Sequence, residues 1–425
     1  MPSIASPGEN QDAGSSSRFW SFLKLVWVNL SIFVFIVIFF EIGAYLYYAA
    51  RTALSGDKAA AAVEAIPDDA YADRSWLLTG LREPRGELQW EPYTYWRRPP
   101  FTGSYVNIDA DGRRHTWNLP AKQAVEIYMF GGSTMWGIGA RDDYTIPSFL
   151  SKQLAQAFPE RVHVVNYGTT GFVSTQEMML LFRELQRGCR PRIAIFYDGY
   201  NDTFSAFQNR VSGITLNEQN RTAEFNILQS YRTRDLFAAT LKKSNIYHAI
   251  HDIHEELFRQ KQLPSLPAKA ENNLTIGVLN YYKANSDIIE AVGEKMEFSS
   301  LFYWQPTPYT HSNRNKFEES WLRDRAQQEF FSEVYANVKN SRLQTKTSFH
   351  DISDVFEGYE GTLYMDFAHT TERGNRIIAG RIFRDVAPLV EREIARLDES
   401  SDRSAVAAMA GEDGQCHGKK SSEAR

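Results

Sequence analysis

The stretch VEIYMFGGSTMWG, from Val125 to Gly137, decides how this chain is expected to fold. Its first six residues are mostly apolar and aromatic, which predicts a buried strand, and the glycines that follow predict a sharp turn. A serine on such a turn can expose its hydroxyl group at the carboxyl edge of a parallel sheet, where open α/β sheets bind their ligands. Ser133 is therefore the candidate nucleophile.

Short apolar segments alternate with longer amphipathic segments after Val125, which is typical of βαβ units. The predicted strands are Val125–Phe130, Val162–Tyr167, Arg192–Tyr197, Ser299–Trp304 and Ser348–Ile352. The predicted helices are Ile146–Ala157, Gln176–Leu185 and Val278–Val292. We therefore expect an α/β fold, a three-layer α/β/α sandwich around a mainly parallel five-stranded sheet.

Further polar residues lie at the ends of later strands or before the last helix. They are Asn166-Tyr-Gly-Thr-Thr-Gly171, Gly199-Tyr-Asn201-Asp202 and Asp366-Phe-Ala-His369. Strand ends of a parallel sheet meet at one edge, so these groups can converge with Ser133. Acyl transfer needs such a set, because a neutral hydroxyl attacks poorly without a base and the oxyanion needs hydrogen-bond donors.

Each of these residues also has a purely structural interpretation. Ser133 could cap a short helix, and Gly171 could merely permit a positive φ angle. Asn201 could belong to a turn, while Asp366 and His369 could cap the last helix. The four blocks follow one another in the order of the predicted strands, which favours the catalytic interpretation.

On these motifs the chain resembles the SGNH hydrolases, the superfamily of GDSL-like esterases and lipases, over about residues 125–397. The resemblance implies that Ser133 is the nucleophile, His369 the general base and then acid, and Asp366 the group that orients the imidazole ring. It also implies a flavodoxin-like sheet and an oxyanion hole made by the backbone N–H groups of Ser133 and Gly171 and the side-chain amide of Asn201.

One position departs from the family pattern. The first block of the family commonly reads Gly-Asp-Ser, whereas this chain has Gly132 before Ser133. The departure leaves the nucleophile in place and raises the question of which substrate the chain takes.

The composition excludes some classes of function. The net charge of −5 leaves no basic surface for nucleic acid, and two cysteines do not indicate a cysteine-rich metal site. Three histidines, His248, His251 and His254, recur at three-residue spacing, but amphipathic packing explains them as well as a metal does. We expect no cofactor and no metal.

The N-terminal segment Phe22–Tyr48 is almost entirely apolar and aromatic. About 20 apolar residues suffice to cross a bilayer, so we expect a single transmembrane helix. A cleaved signal peptide is the alternative, although its apolar region is normally only about 7 to 15 residues long. Basic residues are balanced on the two flanks and do not fix the orientation; we expect the large domain on the extracytoplasmic side.

The sequence divides into six expected parts. They are a polar tail (1–21), the transmembrane helix (22–48), a stalk (49–75), an aromatic β-hairpin extension (76–120), the hydrolase domain (121–397) with an insertion at about 206–270, and a disordered tail (398–425).

The expected function is that of a membrane-anchored serine esterase that acts on an acyl ester, with an O-acetylated carbohydrate as the first candidate substrate. Two alternatives stay open: an O-acyltransferase that passes the acyl group to a sugar hydroxyl, and a non-catalytic binding or assembly module with the same fold. The sequence does not give the oligomeric state. Four aromatic residues, Trp136, Tyr167, Phe172 and Tyr200, are expected to surround the mouth of the site.

Overall fold

The computed structural model of the chain describes residues 12–54, 58–83, 86–230, 241, 244–258, 268–322 and 324–407. The chain divides into two compact units. The helical unit comprises residues 1–58 and 222–264, and the sheet unit comprises residues 59–221 and 265–425.

The sheet unit contains a five-stranded sheet in which every pair of neighbours is parallel. Its strands are β5 (Val125–Gly131), β6 (Val162–Asn166), β7 (Ile193–Asp198), β8 (Ser299–Trp304) and β9 (Phe349–Asp351). Their spatial order is β6-β5-β7-β8-β9, which is the flavodoxin-like order of doubly wound sheets. The predicted α/β fold and its five strands are confirmed, and the order of the strands reverses beside β5.

Helices cover both faces of the sheet, so the central strands are apolar on both sides. Val125, Ile127 and Met129 of β5 pack on one face, while Tyr128 and Phe130 pack on the other. The first face is covered by α5 (Ile146–Ala157) and α13 (Glu372–Ala407). The second is covered by α6 (Ser174–Gln186), α10 (Ala268–Met296) and α12 (Arg325–Lys339). This alternation is the two-residue period of a β-strand.

Shorter elements connect the strands and helices of this unit. They are α2 (Lys58–Ala65), α3 (Leu77–Arg82), α4 (Ser133–Trp136), α7 (Tyr200–Asn209), α8 (Glu218–Ser230), whose residues from 222 onward are assigned to the helical unit, and α11 (Lys316–Ser320). The long segment expected as an insertion at about 206–270 is divided between the units, since residues 206–221 belong to the sheet unit and 222–264 to the helical unit.

The aromatic extension contains two antiparallel hairpins. The first pairs β1 (Gln89–Glu91) with β2 (Tyr95–Arg97), and the second pairs β3 (Phe101–Thr102) with β4 (Asn107–Ile108). The chain turns at residues 109–112, and Ile108 forms an antiparallel bridge to Arg114 across this turn. Arg114 bridges in turn to Asn166, which attaches the extension to the edge of the main sheet.

The helical unit contains α1 (Asp12–Leu54) and α9 (Asn245–Phe258). Residues Arg18–Ala50 of α1 are long and apolar enough to cross a membrane; the most apolar 18 residues among them have a mean hydropathy of 2.5, and none of these is buried. Within this unit the Glu41 carboxylate accepts hydrogen bonds from the backbone N–H groups of Asn245 (2.6 Å) and Ile246 (3.1 Å), at the start of α9.

Helix α13 extends into the segment that was expected to be a disordered tail (398–425). We predicted disorder from residue 398, but α13 continues to Ala407. Its last turns contain alanine, glutamate and arginine, which favour helix, and no glycine or proline interrupts them. Residues 408–425 lie outside the described part of the chain.

Candidate active site

A chain of two short hydrogen bonds links the three residues expected to form the catalytic group. His369 Nε2 lies 2.7 Å from Ser133 Oγ, and His369 Nδ1 lies 2.7 Å from Asp366 Oδ2. A histidine that contacts a hydroxyl through one nitrogen and a carboxylate through the other can take the hydroxyl proton while its ring stays in one orientation. The structure therefore brings Ser133, His369 and Asp366 together in the order that nucleophilic catalysis needs.

The Asp366 carboxylate is fixed by its own backbone. Its Oδ1 accepts hydrogen bonds from the N–H groups of Ala368 and His369, both at 2.8 Å. Burial acts to raise the pKa of Asp366, but the His369 ring and these backbone donors outweigh it, so the pKa lies below its ordinary value. Asp366 therefore stays ionised at neutral pH and can stabilise a positively charged imidazole.

A tight turn holds these two residues together. Tyr364 forms an antiparallel bridge to Thr370, and the Met365 N–H donates to the His369 carbonyl oxygen at 2.9 Å. The turn between these contacts places Asp366 and His369 three residues apart on the same side. The short sequence separation therefore reflects one closed turn just before α13.

Ser133 begins α4 directly after β5, at the carboxyl edge where the strand order reverses. The Gly137 and Ile138 N–H groups both donate to the Ser133 carbonyl oxygen, at 3.0 and 3.1 Å, which closes the turn behind the nucleophile. Gly137 has a φ of +97°, a conformation that favours glycine. The crevice at such a reversal point is where doubly wound sheets bind ligands.

The loop from Asn166 to Phe172 packs directly against the nucleophile turn. The Thr169 N–H donates to the Gly131 carbonyl oxygen at 2.9 Å, and the Asn166 side chain donates to the Met135 carbonyl oxygen at 3.2 Å. A Cβ atom at Gly168 would lie 2.3 Å from the Trp136 backbone nitrogen, so only glycine fits there. The loop and α4 are thus held as one body.

Gly171 lies at the tip of this loop with a φ of +80°. The Phe172 N–H donates to the Thr169 carbonyl oxygen at 3.2 Å, so residues 169–172 form a β-turn with Gly171 in its third position. A positive φ there is the mark of a type II turn, which explains the glycine. Among the described residues, the Gly171 N–H makes no hydrogen bond.

Asn201 lies in the first turn of α7, after β7, and its side chain reaches the same place. Its Nδ2 donates to the Phe172 carbonyl oxygen at 2.6 Å, which uses one of its two hydrogens. The same nitrogen would lie 2.2 Å from a Cβ atom at Gly132. Asn201 therefore packs between the Gly171 loop and the residue that precedes Ser133.

This contact gives a physical reason for the departure at position 132. The backbone of Gly132 is extended, with a φ of −76°, so the glycine is not required by its backbone conformation. It is required by space, because any side chain would displace the Asn201 amide. In this chain, the observed position of the Asn201 amide therefore requires a glycine before the nucleophile.

The expectation about the aromatic mouth is wrong. Trp136, Tyr167, Phe172 and Tyr200 are all buried. Tyr167 and Tyr200 pack into a helix layer, where the Tyr167 ring stacks on Phe130 at 5.1 Å, whereas Trp136 and Phe172 pack against the aromatic extension. The exposed rings beside the site are instead Phe367, whose centroid lies 6.1 Å from the His369 ring, and Trp321, which lies 6.5 Å from Phe367.

A cluster of buried carboxyl groups lies beneath Asn201. Glu177 of α6 is fully buried, and burial followed by the charge of Asp198 raises its pKa well above the ordinary range. Burial and the charge of Asp202 raise the pKa of Asp198 in the same way. Burial also raises the pKa of Asp202 to about 6, although Ser174 donates to it through both its N–H and its hydroxyl. The folded state therefore binds protons at these carboxyl groups more tightly than the unfolded chain does.

The three histidines at three-residue spacing lie on α9. The side chains of His251 and His254 lie outside the described residues. Across the part of the chain that the structure describes, no group of three or more His, Cys, Asp or Glu residues is placed to hold a metal ion.

Three positioning residues escaped the sequence analysis. Asn166 was included only as part of a motif, although its side chain connects two loops. Arg114 is fully buried and contacts Asp142 (2.9 Å) and the carbonyl oxygens of Trp136, Gly137 and Ala140, which supports the turn after Ser133. Trp96 donates through Nε1 to the Thr170 carbonyl oxygen at 2.9 Å. No local sequence pattern around these three residues indicates their long-range contacts.

No protein-family model matches the chain. No curated protein matches it either. Solved structures similar to it include a protein of Desulfitobacterium hafniense DCB-2 named for the lipolytic G-D-S-L family, with 12% identity and a TM-score of 0.31, covering 61% of this chain and 99% of that one. Another is a lipase from a goat rumen metagenome, with 12% identity, a TM-score of 0.36 and coverage of 62% and 97%.

A third is a catalytic mutant of an acetylxylan esterase from Geobacillus stearothermophilus, with 13% identity, a TM-score of 0.35 and coverage of 64% and 96%. At these identities the roles of single residues rest on the geometry of this chain alone.

Proposed function

We propose that the protein is a serine esterase that cleaves acyl esters through an acyl-enzyme intermediate. The observation that carries this proposal is the continuous contact from Asp366 through His369 to Ser133, at 2.7 Å in both steps. A serine that only caps a helix needs neither an imidazole at its hydroxyl nor a carboxylate behind that imidazole.

In the proposed reaction, Ser133 Oγ attacks the ester carbonyl carbon while His369 Nε2 takes the hydroxyl proton. The tetrahedral oxyanion is held by the N–H groups of Ser133 and Gly171 and by the second hydrogen of Asn201 Nδ2. His369 then protonates the leaving alcohol, and the acyl group stays on Ser133. Water, deprotonated by His369, attacks that acyl group and releases the acid and the free enzyme.

Asp366 supports both halves of this cycle. It accepts a hydrogen bond from Nδ1 and keeps Nε2 directed at Ser133. Its lowered pKa means that it remains an anion when the ring becomes positive, so it stabilises the imidazolium without taking the proton.

The substrate that we propose first is an O-acetylated carbohydrate. The half-exposed ring of Phe367 lies beside His369 and that of Trp321 lies next to Phe367, and both offer flat apolar faces, which suit a sugar ring or an acyl chain. A series of p-nitrophenyl esters from acetate to octanoate, together with an acetylated xylo-oligosaccharide, separates a preference for small acyl groups from one for long chains.

We also propose that α1 anchors the protein in a membrane, with the sheet unit on the extracytoplasmic side. Residues Arg18–Ala50 form an apolar surface that the described residues do not cover, and about 20 such residues match a bilayer core. Protease added to intact cells should then degrade the sheet unit; protection until the membrane is opened would contradict the proposed side.

The decisive experiment for the esterase compares wild type with Ser133→Ala and His369→Ala on p-nitrophenyl acetate. Both variants should lose at least about 10³-fold in kcat, because neither the Ser133 hydroxyl nor the His369 imidazole can carry the reaction without the other. Ser104→Ala is a matched control, since Ser104 lies exposed in the extension. Unchanged turnover in Ser133→Ala, or a folded wild type without turnover on any ester, would refute the proposal.

A further inference from the structure

We propose that Trp96, in the β1–β2 hairpin of the aromatic extension, is a positioning residue that sets the direction of the Gly171 N–H. The inference rests on the proposed esterase function. It concerns one peptide unit, between Thr170 and Gly171, whose carbonyl oxygen accepts the Trp96 hydrogen bond. The N–H of that same unit is the proposed oxyanion donor.

The two ends of one peptide unit are coupled by geometry. A trans peptide is planar, so its C=O and N–H groups point in opposite directions. Trp96 Nε1 holds the Thr170 oxygen at 2.9 Å on one side, which directs the Gly171 N–H to the other side. A fixed Thr170 carbonyl oxygen therefore fixes the direction of the Gly171 N–H.

The β-turn at residues 169–172 has a competing state in which this peptide is reversed. Type I and type II turns differ mainly by rotation of the central peptide, with φ of the third residue near −90° in one and near +80° in the other. Gly171 is at +80°, and glycine can adopt either value. In the reversed state the Thr170 oxygen would point at the substrate oxyanion and repel it.

The indole ring is itself held on several sides. The Arg221 guanidinium lies 4.5 Å from the centre of the Trp96 ring, and the Phe172 ring meets it edge-on at 5.7 Å. A Cβ atom at Gly171 would lie 3.4 Å from the Trp96 ring, so the ring is in contact with the turn. Trp96 cannot follow a reversed peptide without leaving these partners.

The hairpin that carries Trp96 is fixed to the rest of the sheet unit through α6. Gln176 Nε2 donates to the Thr94 carbonyl oxygen at 2.7 Å, and Arg183 forms an ion pair with Glu91. Arg98 adds a second contact to the loop, from Nη2 to Thr170 Oγ1 at 3.4 Å. The extension is thus a rigid brace for the oxyanion loop.

The test replaces Trp96 with phenylalanine, which keeps a ring and removes the N–H. Where the phenylalanine variant folds poorly, 3-benzothienylalanine at position 96 replaces only the N–H with sulfur. Trp90→Phe is the matched control, because Trp90 lies on the same hairpin and its side chain is 68% exposed. Each protein is analysed for kcat, KM, thermal midpoint and inhibition by an alkylboronic acid, whose tetrahedral adduct places an oxygen in the hole.

We expect Trp96→Phe to lower kcat by about 10- to 100-fold. The smaller loss corresponds to one hydrogen bond, and the larger loss corresponds to a weakly contributing oxyanion donor. The inhibition constant of the boronic acid should rise in parallel, while KM, the thermal midpoint and the Trp90→Phe control stay unchanged. Wild-type kcat in Trp96→Phe, or a loss that appears in KM and the thermal midpoint instead, would overturn the inference.

A crystal structure of Trp96→Phe provides a result that does not depend on turnover. A reversed or two-state Thr170–Gly171 peptide would support the inference, and an unchanged peptide would overturn it. Failure of the proposed function is recognised separately, as a wild type that shows no turnover dependent on Ser133.

Discussion

Replacing Gly132 with alanine tests whether Asn201 is a working oxyanion donor. The added methyl group would lie 2.2 Å from Asn201 Nδ2, and the amide must retreat beyond about 3.4 Å to restore ordinary contact. That movement breaks its 2.6 Å hydrogen bond to the Phe172 carbonyl oxygen and takes the second hydrogen away from the substrate. The extended backbone of Gly132 accepts alanine, so little else needs to change.

The expected loss is that of one oxyanion donor, about 10²- to 10³-fold in kcat, or about 2.7 to 4 kcal/mol of activation free energy. Asn201→Ala should lose about as much, because it removes the same donor. Gly132→Asp, which restores the residue usual in the resembled family, should also lose activity here, since its side chain meets the same amide.

The assay is p-nitrophenyl acetate hydrolysis by wild type, the two single alanine variants and the double variant, with thermal midpoints to confirm folding. If Gly132→Ala acts through Asn201, the double variant should match Asn201→Ala to within about twofold, which is the usual limit of such cycles. Wild-type kcat in Gly132→Ala, or losses that multiply in the double variant, would refute the reasoning.

Three further changes have expected outcomes. Asp366→Asn should lower kcat by about 10²- to 10⁴-fold with little change in KM, because the histidine loses its fixed tautomer. Glu177→Gln should raise the free energy of unfolding more at pH 8 than at pH 5, because burial raises the pKa of this acid and the folded state holds a proton that the unfolded chain releases above about pH 4.5. Gly168→Ala should cost about 1 to 3 kcal/mol, whereas Gly380→Ala, whose new atom meets nothing nearer than 3.9 Å, should stabilise α13 by about 0.5 to 1 kcal/mol.

These outcomes are checked by steady-state kinetics for the first change and by urea unfolding for the others. Undiminished kcat in Asp366→Asn would remove the carboxylate from the mechanism. An equal effect of Glu177→Gln at both pH values would contradict the raised pKa of that acid. Equal free energies of unfolding for Gly168→Ala and Gly380→Ala would contradict the close packing described at Gly168.

The stability contributed by the buried Asp202 should also fall as the pH rises. Its pKa is raised to about 6 from an ordinary value near 3.8, so the folded state binds a proton more tightly than the unfolded state does. The corresponding stability, about 3 kcal/mol, is present below about pH 4 and is lost as the pH rises through 6.

The sheet was predictable because its strands follow a simple rule. β5 and β8 are short apolar runs bounded by turn residues, and α5 matches its predicted bounds because Thr145 caps it through a hydrogen bond from the Ser148 N–H. Ser133, Asp366 and His369 were predictable for a related reason, since strand ends and a short spacing bring them together.

The supporting contacts were not predictable, because they join distant segments without a local pattern. Arg114 and Trp96 come from the extension, 19 and 37 residues before Ser133 by their numbers. The burial of the four aromatic side chains was not predictable, because residue type alone does not tell whether a side chain near the carboxyl edge of a sheet faces the crevice or packs into the interior.

The central claim is that Ser133 is a nucleophile activated by His369, and covalent labelling tests it most directly. The full chain is treated with a fluorophosphonate, and intact-protein mass spectrometry with peptide mapping follows. We predict one adduct per chain, on Ser133, no adduct in Ser133→Ala and greatly slowed labelling in His369→Ala. A folded wild type that gains no adduct, or gains it at another residue, would contradict the claim.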